Sequence, residues 1–217
     1  MRRIAAVLIG AACLFGLAAP AGAETNQSSV LNVYWVTREP VTQNVYRQVT
    51  WYVGVYQDAE YGTSSDGYQE VDLCVRKGNR TRCRQESFKV GYSNLDKQGE
   101  YYTVDAVGLT SASLRGIYPL QTYDQYGNPT GDAEWTVITA DVKGTGDITH
   151  SQDAYAHHEG DCYYVEITDT NSRPFEATGT ENGADLGTTS LGIFSASQSR
   201  TRVRGSCGPT PSPGPGS

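Results

Sequence analysis

Residues 45–56 read VYRQVTWYVGVY, and this stretch decides the fold class. Its odd positions are mostly Val or Trp, whereas its even positions include Tyr46, Tyr52 and Tyr56. Side chains of a β-strand alternate between the two faces of a sheet, so residues two apart share a face. The pattern therefore predicts a strand with an aliphatic face on the core and a tyrosine-rich face toward solvent or a second layer.

Similar short segments recur on both sides of this strand and are separated by turn signals such as Gly78-Asn79 and Asn182-Gly183. No segment of residues 24–207 shows a long helical repeat of apolar residues, and residues 57–68 have the composition of a loop. We therefore predict an all-β domain of about 9–11 short strands, folded as an antiparallel β-sandwich or, alternatively, an irregular β-barrel.

The first 23 residues have the organisation of a cleaved secretory signal. Arg2 and Arg3 precede an uncharged apolar run over residues 4–19, and Ala21-Gly22-Ala23 supplies the cleavage pattern. The apolar run is shorter than the roughly 20 residues of a membrane-spanning helix, and no later stretch approaches that length. We expect a secreted protein without a membrane span. A lipoprotein signal at Cys13 is the alternative.

Cleavage after Ala23 would leave a single domain over residues 24–207 and a tail over residues 208–217. The tail consists of Gly, Pro, Ser and Thr, which predicts an extended, unpacked segment. The net charge of the whole chain is −7, and it would become −9 because the signal carries two arginines and no acid. Such an acidic protein repels nucleic acid, so we expect no nucleic-acid partner.

Four cysteines remain after the signal, and an even number in an exported chain predicts disulfides. If Gly78-Asn79 is a two-residue hairpin turn, every facing pair has residue numbers that sum to 157. Cys74 and Cys83 satisfy this sum, which leaves Cys162 to pair with Cys207. A zinc site is the alternative, but the chain has no Cys-x-x-Cys motif.

Two arginine ladders alternate along predicted strands, so that each ladder occupies one face. Their members are Arg80, Arg82 and Arg84 in the first ladder and Arg200, Arg202 and Arg204 in the second. If the strands were neighbours, the ladders would form a cationic plate for a polyanion such as a cell-wall polymer. The alternative is a solvated strand face neutralised by Glu70, Asp72 and Glu86.

The hairpin register creates a conflict on this strand. It places Arg82 and Arg84 on the same face as Val75 and Leu73, and one face does not readily hold both a buried core and an arginine ladder. Either the hairpin projects beyond the sandwich with both faces in water, or a bulge shifts the register.

Tyrosines and histidines are the remaining candidates for function. A row of Tyr46, Tyr52 and Tyr56 is suited to stacking on the sugar rings of a polysaccharide, and packing between sheets is the alternative. His157, His158 and Asp161 are of metal-binding type, but neighbouring positions do not converge on one point, and the segment has the composition of a polar loop. No Gly-x-Ser-x-Gly motif marks a nucleophile. We predict no catalytic residue, metal or cofactor.

Two stretches, TADVKGTGDITHS (139–151) and DTNSRPFEATGT (169–180), resemble segments of uncharacterised secreted proteins of actinobacteria. The resemblance implies an exported bacterial β-domain and carries no activity or site residues. The chain departs from the pattern at Val142-Lys143, where an aromatic residue is expected near the turn.

The sequence supports three hypotheses about function. The leading one is a non-catalytic extracellular or cell-surface binding module. The second is a secreted hydrolase that uses His150, His157 or His158 with a carboxylate. The third is a secreted inhibitor or toxin-like protein that presents the hairpin of residues 74–83.

Overall fold

The computed structural model describes residues 25–124, 126–160 and 162–204, and within them the chain forms strands and no helix. The predicted signal peptide and the tail of residues 208–217 lie outside these ranges. The strands are β1 (Thr25–Thr42), β2 (Val45–Asp58), β3 (Gly62–Lys77), β4 (Arg80–Ser93), β5 (Tyr101–Val104), β6 (Ser111–Tyr123), β7 (Pro129–Gly144), β8 (Thr149–Glu159), β9 (Cys162–Ser172), β10 (Phe175–Glu181), β11 (Ala184–Thr189) and β12 (Leu191–Arg204).

These strands confirm the all-β prediction. They belong to one antiparallel sheet in the order β11-β10-β7-β6-β4-β3-β2-β1-β12-β9-β8, with β5 also beside β6. The sheet is not closed into a barrel, and its architecture is sandwich-like. Most neighbours are joined by short turns, which places consecutive strands beside one another in the sheet.

The core lies between two parts of this sheet that fold over each other. Leu31, Val33 and Trp35 occupy alternate positions of β1, and all three side chains are buried. They belong to one apolar cluster with residues of β2, β6, β7, β10 and β12. Trp35 lies directly over Gly179 of β10, where a side chain on that residue would collide with the indole. The period-two pattern of the sequence thus does supply the buried face.

A corner between β4 and β6 shapes the surface. Within the described residues, β4 pairs with β6 only at Lys89↔Thr122 and Val90↔Gln121. Residues 80–88 of β4 therefore pair with β3 alone and leave one side of the strand open.

Most of the predicted loop of residues 57–68 and the start of the predicted polar loop of residues 157–161 belong to strands. Gly62–Lys77 is one strand, so most of the expected loop of residues 57–68 belongs to the β2–β3 ladder. Thr149–Glu159 is the edge strand β8, which pairs with β9 along its whole length. In both segments, backbone pairing with a neighbouring strand overrides a composition rich in Ser, Asp, Gly and His.

Candidate functional site

The end of the β3–β4 ladder projects beyond the core and carries the first arginine ladder. All residues from Arg76 to Glu86 are exposed, on both faces of the ribbon. Lys77 pairs with Arg80, and Cys74 pairs with Cys83, which confirms the predicted register. A disulfide joins the two cysteines, whose Cα atoms are 4.0 Å apart. We call residues 74–84 the cationic hairpin.

The second predicted disulfide is only partly visible. Cys162 is disulfide-bonded, and Cys207 lies outside the described residues. The pairing of Cys162 with Cys207 stays a prediction.

A β-bulge in β4 follows the cationic hairpin. Asp72 pairs with Gln85 and Val71 pairs with Ser87, so Glu86 is an extra residue in the ladder. The bulge reverses the alternation of β4, because one strand gains a residue that the other lacks. The conflict in the sequence is resolved by the first of the two proposed routes, because the hairpin projects into water with both faces exposed. The bulge lies beyond the arginines and leaves Arg82 opposite Val75 and Arg84 opposite Leu73, but it turns Phe88 and the positions after it toward the other face.

The basic side chains of the cationic hairpin have no acidic partner among the described residues. None of its five basic residues forms a salt bridge: Arg76, Lys77, Arg80, Arg82 and Arg84. Glu86 instead pairs with Arg47 of β2, at 2.9 Å. Glu70 and Asp72 alternate with the odd positions of β3 and lie on the face opposite Arg82 and Arg84. Glu70, Asp72 and Glu86 therefore do not neutralise the first arginine ladder, and that alternative is wrong.

Two of these charges are even placed against each other. Lys77 and Arg80 are directly opposite in the ladder, a position where like charges destabilise a sheet. The disulfide three residues back along each strand offsets part of that cost, because it holds the two strands together. Residues whose local interactions oppose folding are most often found at functional sites.

The second arginine ladder lies elsewhere. β3, β2 and β1 separate β4 from β12 in the sheet. Arg200 pairs with the N-terminal end of β1, whereas the cationic hairpin lies toward and beyond the opposite end of β2, at least roughly 45 Å away along the strand direction. Arg200 is also 3.3 Å from the carboxylate of Asp169. Arg202 follows it on the same face, and Arg204 occupies the end of β12. The two ladders do not form one plate.

The central tyrosine of the predicted row packs against other tyrosines of the sheet. Tyr52 is buried between Tyr34 and Tyr68, with ring centroids 4.8 and 4.7 Å apart, and its hydroxyl donates to Asn32. The rings of this stack cover one another, so their faces are not free for a ligand. Burial raises the pKa of Tyr52 above the ordinary tyrosine range and that of Tyr68 to about 12.

Tyr46 and Tyr56 lie toward the two ends of the same face. The guanidinium of Arg38 is 5.4 Å from the ring centroid of Tyr46. The hydroxyl of Tyr56 donates to Asp58 at 3.2 Å. The three tyrosines share a face as the alternation predicts, but they do not form a continuous platform.

A groove missed by sequence reasoning opens where β4 and β6 diverge. Its volume is about 810 Å³. Exposed aromatic rings project into it from β4 and from the turn between β6 and β7. The side chains that define it are Phe88, Val90, Tyr92, Tyr123, Asp124 and Tyr126. The only signal in the sequence is the presence of two tyrosines next to the Gly127-Asn128-Pro129 turn, and nothing there indicates the corner.

The histidines do not assemble into a catalytic or metal centre within the described residues. His157 and His158 are adjacent in β8 and therefore point to opposite faces, where His157 stacks on Tyr164 and His158 contacts Tyr163 in a tilted arrangement. His150 contacts Asn171 at 2.9 Å. No hydrogen bond joins a histidine to a serine, and no cluster of three metal-ligating side chains occurs in this part of the chain. Asp161 lies outside the described residues.

Neither a protein-family model nor a curated protein matches the chain. The described part of the chain contains no helix that is long and apolar enough to cross a membrane.

Proposed function

We propose that this protein is exported and acts as a non-catalytic module that binds an anionic polymer at a cell surface. The observation that supports this proposal is the cationic hairpin. It places five exposed basic side chains without salt bridges on a disulfide-linked ribbon of a chain whose net charge is −7.

The geometry of the arginines favours a polymer over a single small anion. Arg80, Arg82 and Arg84 occupy one face of β4 at alternate positions, about 7 Å apart from one to the next. Guanidinium groups bind phosphate and carboxylate through paired hydrogen bonds. A row of them suits a chain that carries repeated negative charges. The acidic remainder of the protein repels the same polymer, so binding is directed to the hairpin.

A secreted inhibitor is the second candidate. The tip at Gly78-Asn79 is exposed and constrained by the disulfide, as a presented loop requires. Residual activity of proteases that cleave after Arg or Lys tests this candidate, and full activity at a large excess of the protein would reject it.

Sedimentation with purified bacterial cell walls tests the polymer proposal. The test variant is Arg80→Ala with Arg82→Ala, and the matched control is Lys143→Ala with Arg202→Ala. Both remove two exposed positive charges, but only the first pair lies in the cationic hairpin. We expect wild type and control to sediment with the walls, the test variant to remain in solution, and soluble poly(glycerol phosphate) to compete. Equal sedimentation of both variants, or none by wild type at low salt, would contradict the proposal.

A further inference from the structure

The groove between β4 and β6 is lined by tyrosine rings whose faces are not covered by other side chains. Tyr92 is 71% exposed and Tyr126 is 80% exposed, in contrast to the buried Tyr52. Phe88 also lines the groove, and its ring contacts that of Tyr68, with 5.5 Å between the ring centroids. Tyr92 and Tyr126 thus leave two large ring surfaces open in the lining of one groove, a feature typical of ligand-binding surfaces.

The turn that carries Tyr126 is held in place by its own hydrogen bonds. The carboxylate of Asp124 accepts from the backbone N–H of Tyr126 at 2.8 Å and of Asn128 at 2.9 Å. The backbone of Asp124 exchanges further bonds with Gly127 and Asn128. These bonds lower the pKa of Asp124, which keeps it ionised. Hydrogen bonds therefore hold the backbone that carries the ring of Tyr126, which reduces the entropy lost on binding.

Polar groups line the end of the groove beside the bulge. Gln85, Glu86 and Ser87 face it, and the carboxylate of Glu86 is oriented by its pairing with Arg47. Carboxylate, amide and hydroxyl oxygens accept hydrogen bonds from hydroxyl donors. The groove thus combines exposed ring faces with acceptors, and its only aliphatic lining residue among those described is Val90.

We propose that this groove is a second binding site, which takes the uncharged sugar rings of a polysaccharide. A sugar ring presents C–H groups on one face, which pack on an aromatic ring, and hydroxyls at its edge, which reach the acceptors. A peptide segment would need apolar pockets for its side chains, and the groove offers few. This inference does not depend on the anionic polymer, because the groove contains none of the arginines of the cationic hairpin.

The test is an NMR titration with uncharged oligosaccharides: cellohexaose, xylohexaose, maltohexaose and hexa-N-acetylchitohexaose. We expect at least one to shift the backbone amides of Ser87, Tyr92 and Asp124 in a saturable manner, with an affinity that does not change between low and high salt. Tyr92→Ala combined with Tyr126→Ala is expected to weaken binding by about tenfold or more.

Tyr61→Ala is the matched control, because Tyr61 is similarly exposed, at 75%, but lies in the β2–β3 turn and does not line the groove. It is expected to bind like wild type. Unchanged thermal unfolding of the double variant shows that its fold is intact. The absence of shifts with all four oligosaccharides, shifts confined to other residues, or shifts produced only by a peptide library would overturn the inference. None of these results bears on the cationic hairpin, because its binding to cell walls is tested separately by sedimentation.

Discussion

Val75 and Arg82 lie directly opposite each other in the β3–β4 ladder, and their side chains share one face of the ribbon. If this face were buried in the core, Arg82 would be costly, since burial of an unpaired charge is strongly unfavourable. The pair is tolerated because Arg82 is exposed and keeps its hydration. The same exposure makes this charge available to a ligand. One feature, the projection of the hairpin into water, thus makes the arginine tolerable to the fold and accessible for the proposed binding.

The repulsion between Lys77 and Arg80 predicts a stabilising substitution. Arg80→Glu replaces a like-charge pair by an opposite-charge pair and is expected to raise the free energy of unfolding by about 0.5–1 kcal/mol at low salt. Arg80→Gln, which only removes the charge, is expected to give a smaller gain. Urea denaturation measures both. Because salt screens exposed charges, the gain should shrink at high salt, and a loss of stability in Arg80→Glu would contradict the assignment of this pair.

The disulfide between Cys74 and Cys83 is expected to matter most to the hairpin itself. Its loop is short, with a sequence separation of 9, and loop-closure entropy then corresponds to about 2–3 kcal/mol. Cys74→Ser combined with Cys83→Ser should lower the free energy of unfolding by up to that amount. Amide hydrogen exchange should accelerate first at residues 74–84, with little change in β1 and β12. Uniform acceleration throughout the sheet would show that the hairpin does not project independently of the core.

The contact between Trp35 and Gly179 predicts a sensitive glycine. A Cβ added at Gly179 would lie against Cζ2 of the indole and 2.8 Å from the backbone oxygen of Thr139. Gly179→Ala is therefore expected to destabilise the protein by about 1–3 kcal/mol, whereas Thr178→Ala, on the exposed side of the same strand, should change stability by less than about 0.5 kcal/mol. Equal denaturation midpoints for the two variants would mean that the two layers do not pack at this point.

The tyrosine stack predicts a loss of stability at high pH. Burial raises the pKa of Tyr68 to about 12, compared with about 10 in an unfolded chain. The folded state favours the neutral phenol, so this contribution is complete below about pH 10 and is lost as the pH rises toward 12. Spectrophotometric titration should show tyrosines that ionise late in the folded protein and early after denaturation.

Two substitutions test the assignment of this late phase to the stack. Tyr68→Phe is expected to reduce it and to flatten the fall in stability between about pH 10 and 12. Tyr126→Phe, which removes a hydroxyl outside the stack, should leave it unchanged. If the folded and denatured proteins titrate identically, the stack is not buried as described.

Much of the fold follows from local rules that act within one strand or one turn. The alternation in residues 45–56 and the turn at Gly78-Asn79 are sufficient to predict β2, the β3–β4 hairpin and the bond from Cys74 to Cys83. Loops were overestimated where polar residues form strands, as at residues 62–68 of β3 and at His157 and His158 of β8. In those segments the ladder with a neighbouring strand supplies the hydrogen bonds, and this pairing is not encoded in local composition.

The candidate site shows the same division. The first arginine ladder and its register could be predicted from the sequence, because both depend on one turn. The separation of the second ladder at Arg200 could not, since it depends on the order of strands that are distant in sequence. The groove at Tyr92 and Tyr126 also escaped prediction, because it arises where β4 and β6 stop pairing. Long-range strand order thus determines which residues of each motif come together.

The salt dependence of binding to poly(glycerol phosphate) tests the role of the cationic hairpin most directly. The logarithm of the association constant is plotted against the logarithm of the salt concentration for wild type, Arg80→Ala/Arg82→Ala and Lys143→Ala/Arg202→Ala. Because each contact between a basic side chain and a phosphate releases bound counterions, the hairpin variant should lose about two units of slope while the control keeps the slope of wild type. Identical slopes for wild type and the hairpin variant would contradict the account.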